Sequence, residues 1–139
     1  MATEPARAEY TLSTQREIRS RHYLVGGDFG AENRPHAHRY RIEVQVTGQE
    51  LDQHGFLLDL VALEGHLDAL LGEYAGKTLN ALPAFAGLNP SLEHFCRILG
   101  RSLAERLQPL PWSALSIRIW EDQAGWAMYR MEAGCAWGW

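Results

Sequence analysis

Cysteine is scarce in this chain of 139 residues, and its two cysteines, Cys96 and Cys135, lie far apart in the sequence. Their spacing fits no metal-binding motif, which excludes a disulfide framework and a zinc site made of cysteines alone. Long apolar segments are also absent, and no run approaches the roughly 20 residues that a transmembrane helix needs. Because residues 1–9 lack the apolar centre of a signal peptide, we expect a cytoplasmic protein without a membrane partner.

A surplus of positive charge is absent as well. The chain has 13 Lys and Arg against 17 Asp and Glu, so its formal net charge is −4. Nucleic-acid-binding proteins usually carry a basic surplus or a basic stripe, and the composition therefore argues against a nucleic-acid partner. The length and the ordinary apolar content fit one globular domain. We expect a single domain over residues 1–139, with residues 1–8 and 134–139 as flexible tails.

Alternation of apolar and polar residues predicts four strands. The pattern is clearest in residues 38–47, where every second residue is apolar, as in a strand with one buried face. Similar alternation predicts strands at residues 10–20, 114–121 and 126–132. The last two are joined by residues 122–125, which are typical of a hairpin loop.

Two helices are predicted between the second and third strands. The first begins near Asp59, after which leucines recur at spacings of three and four, the pattern of an amphipathic helix. The second is predicted to start with Asn89 as N-cap and Pro90 at the first helical position, and to end before Pro109 and Pro111. The order ββααββ predicts an α+β fold with an antiparallel sheet.

Three of the six histidines could form a metal site. His36 and His38 are two residues apart in an extended segment, so both imidazoles face the same side and can reach one ion. His22 is a third candidate if the first strand pairs with the second. Zinc bound by three imidazoles keeps one position open, which is typical of a catalytic site. The residues by themselves leave open the alternative that these histidines are partly exposed and bind nothing.

Five short motifs, in this order, resemble those of the 6-pyruvoyl-tetrahydropterin synthase and 6-carboxy-tetrahydropterin synthase family. They are residues 35–40 (PHAHRY), 55–60 (GFLLDL), 79–80 (LN), 89–93 (NPSLE) and 119–121 (IWE). The resemblance extends roughly from residue 22 to residue 129. It implies a T-fold, in which a four-stranded antiparallel sheet carries two helices on one face. It also implies a homohexamer of two stacked trimers, with active sites between subunits.

The resemblance implies a zinc ion and its ligands. The family binds zinc through a His at the end of the first strand and a His-Gly-His at the start of the second. Those positions hold His22, His36 and His38 here, with Ala37 in place of the Gly. In the family a Glu at the end of the third strand binds the pterin ring, and Glu121 occupies that position. A carboxylate can accept two hydrogen bonds from a pterin edge at once; the alternative for Glu121 is an exposed edge carboxylate.

The family's proton-transfer residues are not all present. A catalytic Cys lies four residues before the His pair in the family, and that position is Glu32 here; an Asp-His pair corresponds to Ala75 and Gly76. Neither Ala nor Gly can carry a proton. Some relatives place a Glu at or beside the Cys position and release a hydroxymethyl pterin. Glu32 is therefore the candidate base, and the alternative is a solvated loop carboxylate.

The resemblance thus implies a zinc-dependent lyase that acts on the side chain of 7,8-dihydroneopterin triphosphate or a related dihydropterin, in a queuosine or tetrahydrobiopterin-like pathway. Two alternatives stay open. The chain could bind a pterin or purine-like ring without turnover, or it could act on a non-pterin substrate with the same scaffold and zinc. The missing Asp-His pair favours the binding protein, whereas three zinc ligands argue against it.

Overall fold

A computed structural model describes residues 8–108 and 112–133, which form a four-stranded antiparallel sheet with two helices on one face. The strands are β1 (Tyr10–His22), β2 (His36–Gly48), β3 (Ala114–Glu121) and β4 (Gly125–Glu132), and the helices are α1 (Leu60–Leu71) and α2 (Leu92–Arg106). The strands lie side by side in the order β1-β2-β3-β4. The predicted α+β class and the predicted order of elements are confirmed.

The core lies between the helices and one face of the sheet. In β2 the alternate residues Tyr40, Ile42, Val44 and Val46 are buried, and the leucines of α1 and α2 pack against them. Each buried side chain of this size stabilises the fold by about 1.5–3 kcal/mol. A slip of one residue would turn the whole apolar set outward. Burial of β2 therefore fixes which face of the sheet its histidines occupy.

The two long strands extend further than the alternation predicted. β1 reaches His22 and β2 starts at His36, and these two residues are direct partners in the ladder. The segment after α1 runs along the outer edge of β1, where the Gly76 amide donates to the Arg19 carbonyl at 2.7 Å. This extra pairing holds the end of β1 in an extended conformation up to His22.

The start of α1 was predicted correctly, and the start of α2 was not. Asp59 caps α1, because its side chain accepts hydrogen bonds from the backbone amides of Val61 and Ala62. The cap of α2 is Ser91, whose hydroxyl oxygen accepts from the His94 amide at 3.1 Å. Asn89 instead accepts from the Val25 amide at 3.0 Å. The predicted N-cap was wrong because the Asn89 side chain is engaged by the loop that follows β1.

Some expectations concern parts of the chain outside the described residues. One is the role of Pro109 and Pro111 in ending α2. The others are the flexible tails, of which residues 1–7 and 134–139 lie outside the described ranges. They stay predictions. Within the residues that the structure describes, neither α1 nor α2 is long and apolar enough to cross a bilayer.

Candidate metal centre

Three histidines meet at one end of the β1–β2 ladder. The ring centroids lie 4.6 Å apart for His22 and His36, 4.9 Å for His22 and His38, and 4.7 Å for His36 and His38. The ladder explains this triangle, because His22 is the direct partner of His36 and His38 is two residues further along the same face. The structure therefore brings together all three predicted ligands.

Two of the rings are oriented by backbone carbonyls. The Nδ1 atom of His22 donates to the carbonyl oxygen of Pro90 at 2.9 Å. The Nδ1 atom of His36 donates to the carbonyl oxygen of Arg34 at 2.6 Å. Because a carbonyl oxygen only accepts, Nδ1 carries the proton in both rings. In the neutral form of each ring the lone pair is then on Nε2.

The third ring is oriented by a carboxylate. The Nδ1 atom of His38 donates to Oδ2 of Asp122 at 2.7 Å. Asp122 is the first residue after β3, and its Oδ1 accepts from the Arg39 amide at 3.1 Å. The hydrogen bond from His38 is the largest of the effects that lower the pKa of Asp122. Asp122 is therefore ionised at neutral pH and accepts with a full negative charge.

The three Nε2 atoms are buried and have no hydrogen-bond partner. A buried polar atom without a partner costs about 1–3 kcal/mol, and an ion bound by all three would remove that cost. Metal-binding histidines characteristically use one nitrogen for the metal and donate the other N–H to a carbonyl or carboxylate. The three rings follow this pattern, so they fit a zinc ion, which takes imidazole ligands with one position left open.

His22 is held in the neutral form that a metal requires. Burial lowers the pKa of His22 more than any other effect, and the neighbouring His38 and His36 lower it further. The Tyr40 hydroxyl lies 3.3 Å from His22 Nδ1. Burial raises the pKa of Tyr40, so this side chain remains an uncharged phenol. A neutral imidazole binds metal without first losing a proton.

Glu32 lies on a short 3-10 turn, Gly30–Asn33, next to the histidines. Its Oε2 is 2.8 Å from Nε2 of His36, without the alignment of a hydrogen bond. The backbone of Glu32 is fixed, because its carbonyl accepts from the Leu24 amide at 2.8 Å. Its side chain remains 51% exposed. With His22, His36 and His38 it forms a group whose ligand atoms all lie within 4.8 Å of one another.

Glu121 also points into the histidine cluster. Its Oε1 lies 2.5 Å from Nε2 of His38 and 3.6 Å from Nε2 of His22, in both cases without forming a hydrogen bond. The side chain is 27% exposed, so it is not a freely solvated edge residue. Burial raises the pKa of Glu121, and the nearby carboxylates Glu32 and Asp122 also raise it. A carboxylate in this environment can accept hydrogen bonds from a ligand in the same pocket.

A pocket of about 340 Å³ opens beside the cluster. Its lining residues come from β1, the loop after it, the start of α2 and the end of β3: His22, Leu24, Glu32, Ser91, Leu92, Glu93 and Glu121. Polar groups that converge in a concave site are typical of small-molecule binding. A larger cavity of about 490 Å³ lies at the opposite end of the β1–β2 ladder and is mainly apolar. It contains no histidine, so we place the chemistry at the smaller pocket.

The positions of the family's Asp-His pair hold Ala75 and Gly76 in the turn after α1, and both are exposed. Gly76 has a φ of +74°, a conformation that favours glycine. The backbone at this position thus suits a glycine better than a histidine. These two residues supply no proton-carrying side chain to the site.

Sequence reasoning missed the partners that orient the rings. The carbonyls of Arg34 and Pro90 leave no signal in residue identity, because every residue has a carbonyl. The sequence offered a weak indication that Asp122 lies near the site, because it directly follows Glu121 in a predicted hairpin loop.

Comparison with known protein families matches residues 11–132 to the family described as 6-pyruvoyl tetrahydropterin synthase. A related sequence is the 6-carboxy-5,6,7,8-tetrahydropterin synthase of Bacillus subtilis (strain 168). It is 33% identical over 55 residues, which are 40% of this chain and 38% of that protein. The matched stretch thus spans well under two thirds of that relative's length.

Two solved structures share the fold over most of both chains. The 6-pyruvoyl tetrahydropterin synthase of Caenorhabditis elegans has a TM-score of 0.77 and 17% identity over 90% of this chain and 97% of its own. A Plasmodium vivax 6-pyruvoyltetrahydropterin synthase, described as a catalytic residue mutant in which a glutamate is changed to alanine, has a TM-score of 0.74. Its identity is 12% over 91% of this chain and 99% of its own. These likenesses show the predicted T-fold.

Proposed function

The chain belongs to the 6-pyruvoyl tetrahydropterin synthase family, and on that basis we propose that it is a zinc-dependent lyase for a dihydropterin side chain. The substrate we propose is 7,8-dihydroneopterin triphosphate or a related dihydropterin. The motif resemblance is thereby confirmed, and a tetrahydropterin synthase-like lyase function follows from the family. The dependence on zinc and the identity of the substrate are what the proposal adds to the family assignment. One observation supports them most: three histidines whose ligand atoms lie within 4.8 Å of one another each have a buried Nε2 without a hydrogen-bond partner.

His22, His36 and His38 would hold the zinc through Nε2. Bound zinc polarises a substrate oxygen or lowers the pKa of a bound water. The chain keeps the three rings oriented, because each Nδ1 donates to a fixed acceptor. Three protein ligands leave room for a substrate group in the fourth position.

Glu32 would act as the general base. Its Oε2 is 2.8 Å from His36 Nε2, so its carboxylate lies beside any substrate group held by the histidines. The 51% exposure of the side chain lets it turn towards a substrate while its backbone stays fixed. The Plasmodium vivax relative with a catalytic glutamate supports a carboxylate in this role. A base at hydrogen-bond distance from the reacting proton is the first requirement for such catalysis.

Glu121 would bind the pterin ring. Its carboxylate and that of Glu32 line the same pocket, which is consistent with one ligand that reaches both. A paired amino group and ring N–H can donate to the two carboxylate oxygens together, and this fixes the orientation of the ring. Glu121 is the partner of Tyr40 in the β2–β3 ladder, so its backbone lies in the sheet.

We also propose that copies of the chain assemble through their sheets into the homohexamer expected for the family. β1 and β4 are the two edges of the sheet. An uncovered edge strand offers unpaired backbone groups to another chain. The segment after α1 pairs with β1 at Arg19 and Arg21, so β4 of a neighbouring copy would pair with the part of β1 before Arg19 and close the sheet.

A second candidate function is a binding protein on the same scaffold that does not turn its ligand over. The observation that favours it is the turn at Ala75 and Gly76, where the family's Asp-His pair is replaced by residues that cannot transfer protons. The positive φ of Gly76 shows that the local backbone matches this replacement. The same observation is compatible with an enzyme for a non-pterin substrate.

A product assay tests these candidates. Zinc-loaded protein is incubated with 7,8-dihydroneopterin triphosphate, and the products are identified by mass spectrometry. We expect a pyruvoyl, carboxy or hydroxymethyl pterin that disappears in His36→Ala. The matched control is His66→Ala, since His66 is an exposed histidine of α1. Intact substrate with zinc bound would contradict the pterin lyase and favour the binding protein or another substrate.

A further inference from the structure

Asp122 connects the β3–β4 loop to strand β2 through three contacts. Its Oδ2 accepts from His38 Nδ1 at 2.7 Å, and its Oδ1 accepts from the Arg39 amide at 3.1 Å. Its own amide donates to the Arg39 carbonyl at 2.8 Å. Asp122 contacts His38 on Nδ1, whereas the buried Nε2 of the same ring has no hydrogen-bond partner. It can therefore act on the proposed metal centre without being a ligand.

The backbone at Asp122 is in an unfavourable conformation for its residue type. Asp122 has a φ of +57° and is the sole non-glycine residue with a positive φ in the described parts of the chain. Glycine adopts this region without steric cost, and Asn tolerates it better than most residues. Backbone energetics alone would select glycine here. The presence of Asp indicates that its carboxylate contributes something that the local backbone does not require.

The partner of His38 differs in charge from those of the other two rings. His22 and His36 donate to neutral carbonyl oxygens, whereas His38 donates to a carboxylate. A hydrogen bond to an ionised acceptor is roughly twice as strong as one to a neutral acceptor. A carboxylate behind a ligating imidazole fixes its tautomer and makes its free nitrogen a better donor to the metal.

We propose that Asp122 is a positioning residue that orients His38 and strengthens its Nε2 as a metal ligand. This inference rests on the metal site of the proposed function. The carboxylate holds the proton on Nδ1 and directs the lone pair of Nε2 towards His22 and His36. Because the same carboxylate binds the Arg39 amide, the ring is fixed relative to β2 as well as to the loop.

The test measures zinc affinity in the full chain, by competition with a chromophoric chelator. The variants are Asp122→Asn, which keeps the shape and tolerates the positive φ, and Asp122→Gly, which relaxes the backbone. Loss of such an outer partner typically weakens metal binding about 10–100-fold, and we expect this for both variants. The control Glu105→Gln removes an exposed carboxylate of α2 and should leave the affinity unchanged.

Two further readouts separate positioning from a structural role. The unfolding midpoint of the zinc-free protein shows that both Asp122 variants are folded under the conditions of the affinity measurement. The visible spectrum of the Co²⁺-loaded protein should change in Asp122→Asn and not in Glu105→Gln, because the spectrum reports on the ligand nitrogens.

The outcomes also distinguish this inference from the proposed function. Zinc binding that is tight in the wild type, abolished in His36→Ala and unchanged in both Asp122 variants would overturn the role of Asp122 alone. Zinc affinity that is equal in the wild type and in His36→Ala would overturn the metal site, and the role of Asp122 with it. Weaker affinity in the Asp122 variants with an unchanged Co²⁺ spectrum would overturn the positioning of His38.

Discussion

The Nδ1 atom of His22 lies 2.9 Å from the carbonyl oxygen of Pro90, so the end of β1 is tied to the residue just before the cap of α2. The two residues are 68 positions apart in the sequence. His22 is also the direct ladder partner of His36. The first half of the chain supplies the candidate metal ligands, and the second half holds two of them in place, His22 through Pro90 and His38 through Asp122.

The role of Glu32 predicts a loss of turnover without a loss of metal. Glu32→Gln should reduce the rate of product formation about 10²–10⁴-fold, because a general base contributes that much. Zinc affinity should stay close to that of the wild type, since three histidines remain. Single-turnover kinetics measure the rate of product formation, and zinc content after dialysis shows whether the metal is retained. Glu105→Gln, which removes the same charge from an exposed position of α2, is the control. Activity of Glu32→Gln equal to that of this control would show that Glu32 is not the general base.

The buried His22 predicts a stability that falls at acid pH in the zinc-free protein. Its folded pKa lies below the usual histidine value near 6.5, mainly because of burial. As the pH falls below about 6.5, the unfolded chain takes up a proton that the folded chain resists, so unfolding becomes easier. Above that pH the contribution is fully present. Urea unfolding at a series of pH values between 8 and 5 measures the slope.

The comparison for that slope is His22→Asn, whose side-chain amide nitrogen takes the place of Nδ1 and can donate to the Pro90 carbonyl but does not titrate. The wild type should lose more stability than His22→Asn between about pH 6.5 and the lowered folded pKa. Parallel stability profiles of the two proteins would show that His22 is not held neutral by its surroundings.

Burial makes Cys96 an unreactive thiol. Burial raises its pKa to about 12, and the side chain is fully covered. The thiolate is the reactive form, so at pH 8 about one thiol in 10⁴ is ionised. In a Cys135→Ser background, Cys96 should react with a disulfide reagent only on unfolding. Labelling of the native protein at the rate seen in denaturant would contradict this packing.

Two helical glycines should respond differently to the same substitution. At Gly65 in α1 an added Cβ meets nothing within 4 Å, whereas at Gly100 in α2 it approaches Met131 and Tyr129 at 3.2 Å. Gly65→Ala should stabilise the fold by about 0.5–1 kcal/mol, since alanine is the better helix former. Gly100→Ala should gain less or lose stability, because the neighbouring side chains must shift. Denaturant unfolding of the pair measures the difference, and equal gains would disprove the close approach at Gly100.

Much of the sheet and part of the site could be predicted from the sequence for one reason. The strict alternation in β2 fixes which of its side chains are buried, and His36 and His38 fall on that same face. The ladder then places His22 opposite His36. Period-two patterns carry this information, since a strand with one buried face has a single allowed register.

The rest depends on contacts that residue identity does not encode. The N-cap of α2 moved to Ser91 because a distant amide, that of Val25, engages the Asn89 side chain. The backbone carbonyls that orient His22 and His36 are invisible to any pattern of side chains. Glu121 was expected at the end of β3, but its 2.5 Å approach to His38 depends on the packing of two strands.

The three acceptors behind the histidines belong to three different connections of the chain. The Arg34 carbonyl lies between β1 and β2, the Pro90 carbonyl lies before α2, and the Asp122 carboxylate lies between β3 and β4. An ion bound to the three rings would thus act as a non-covalent cross-link among loops that are far apart in sequence. Opening any one of them would then require loss of the ion, so amide hydrogen exchange in all three should slow together when the ion binds.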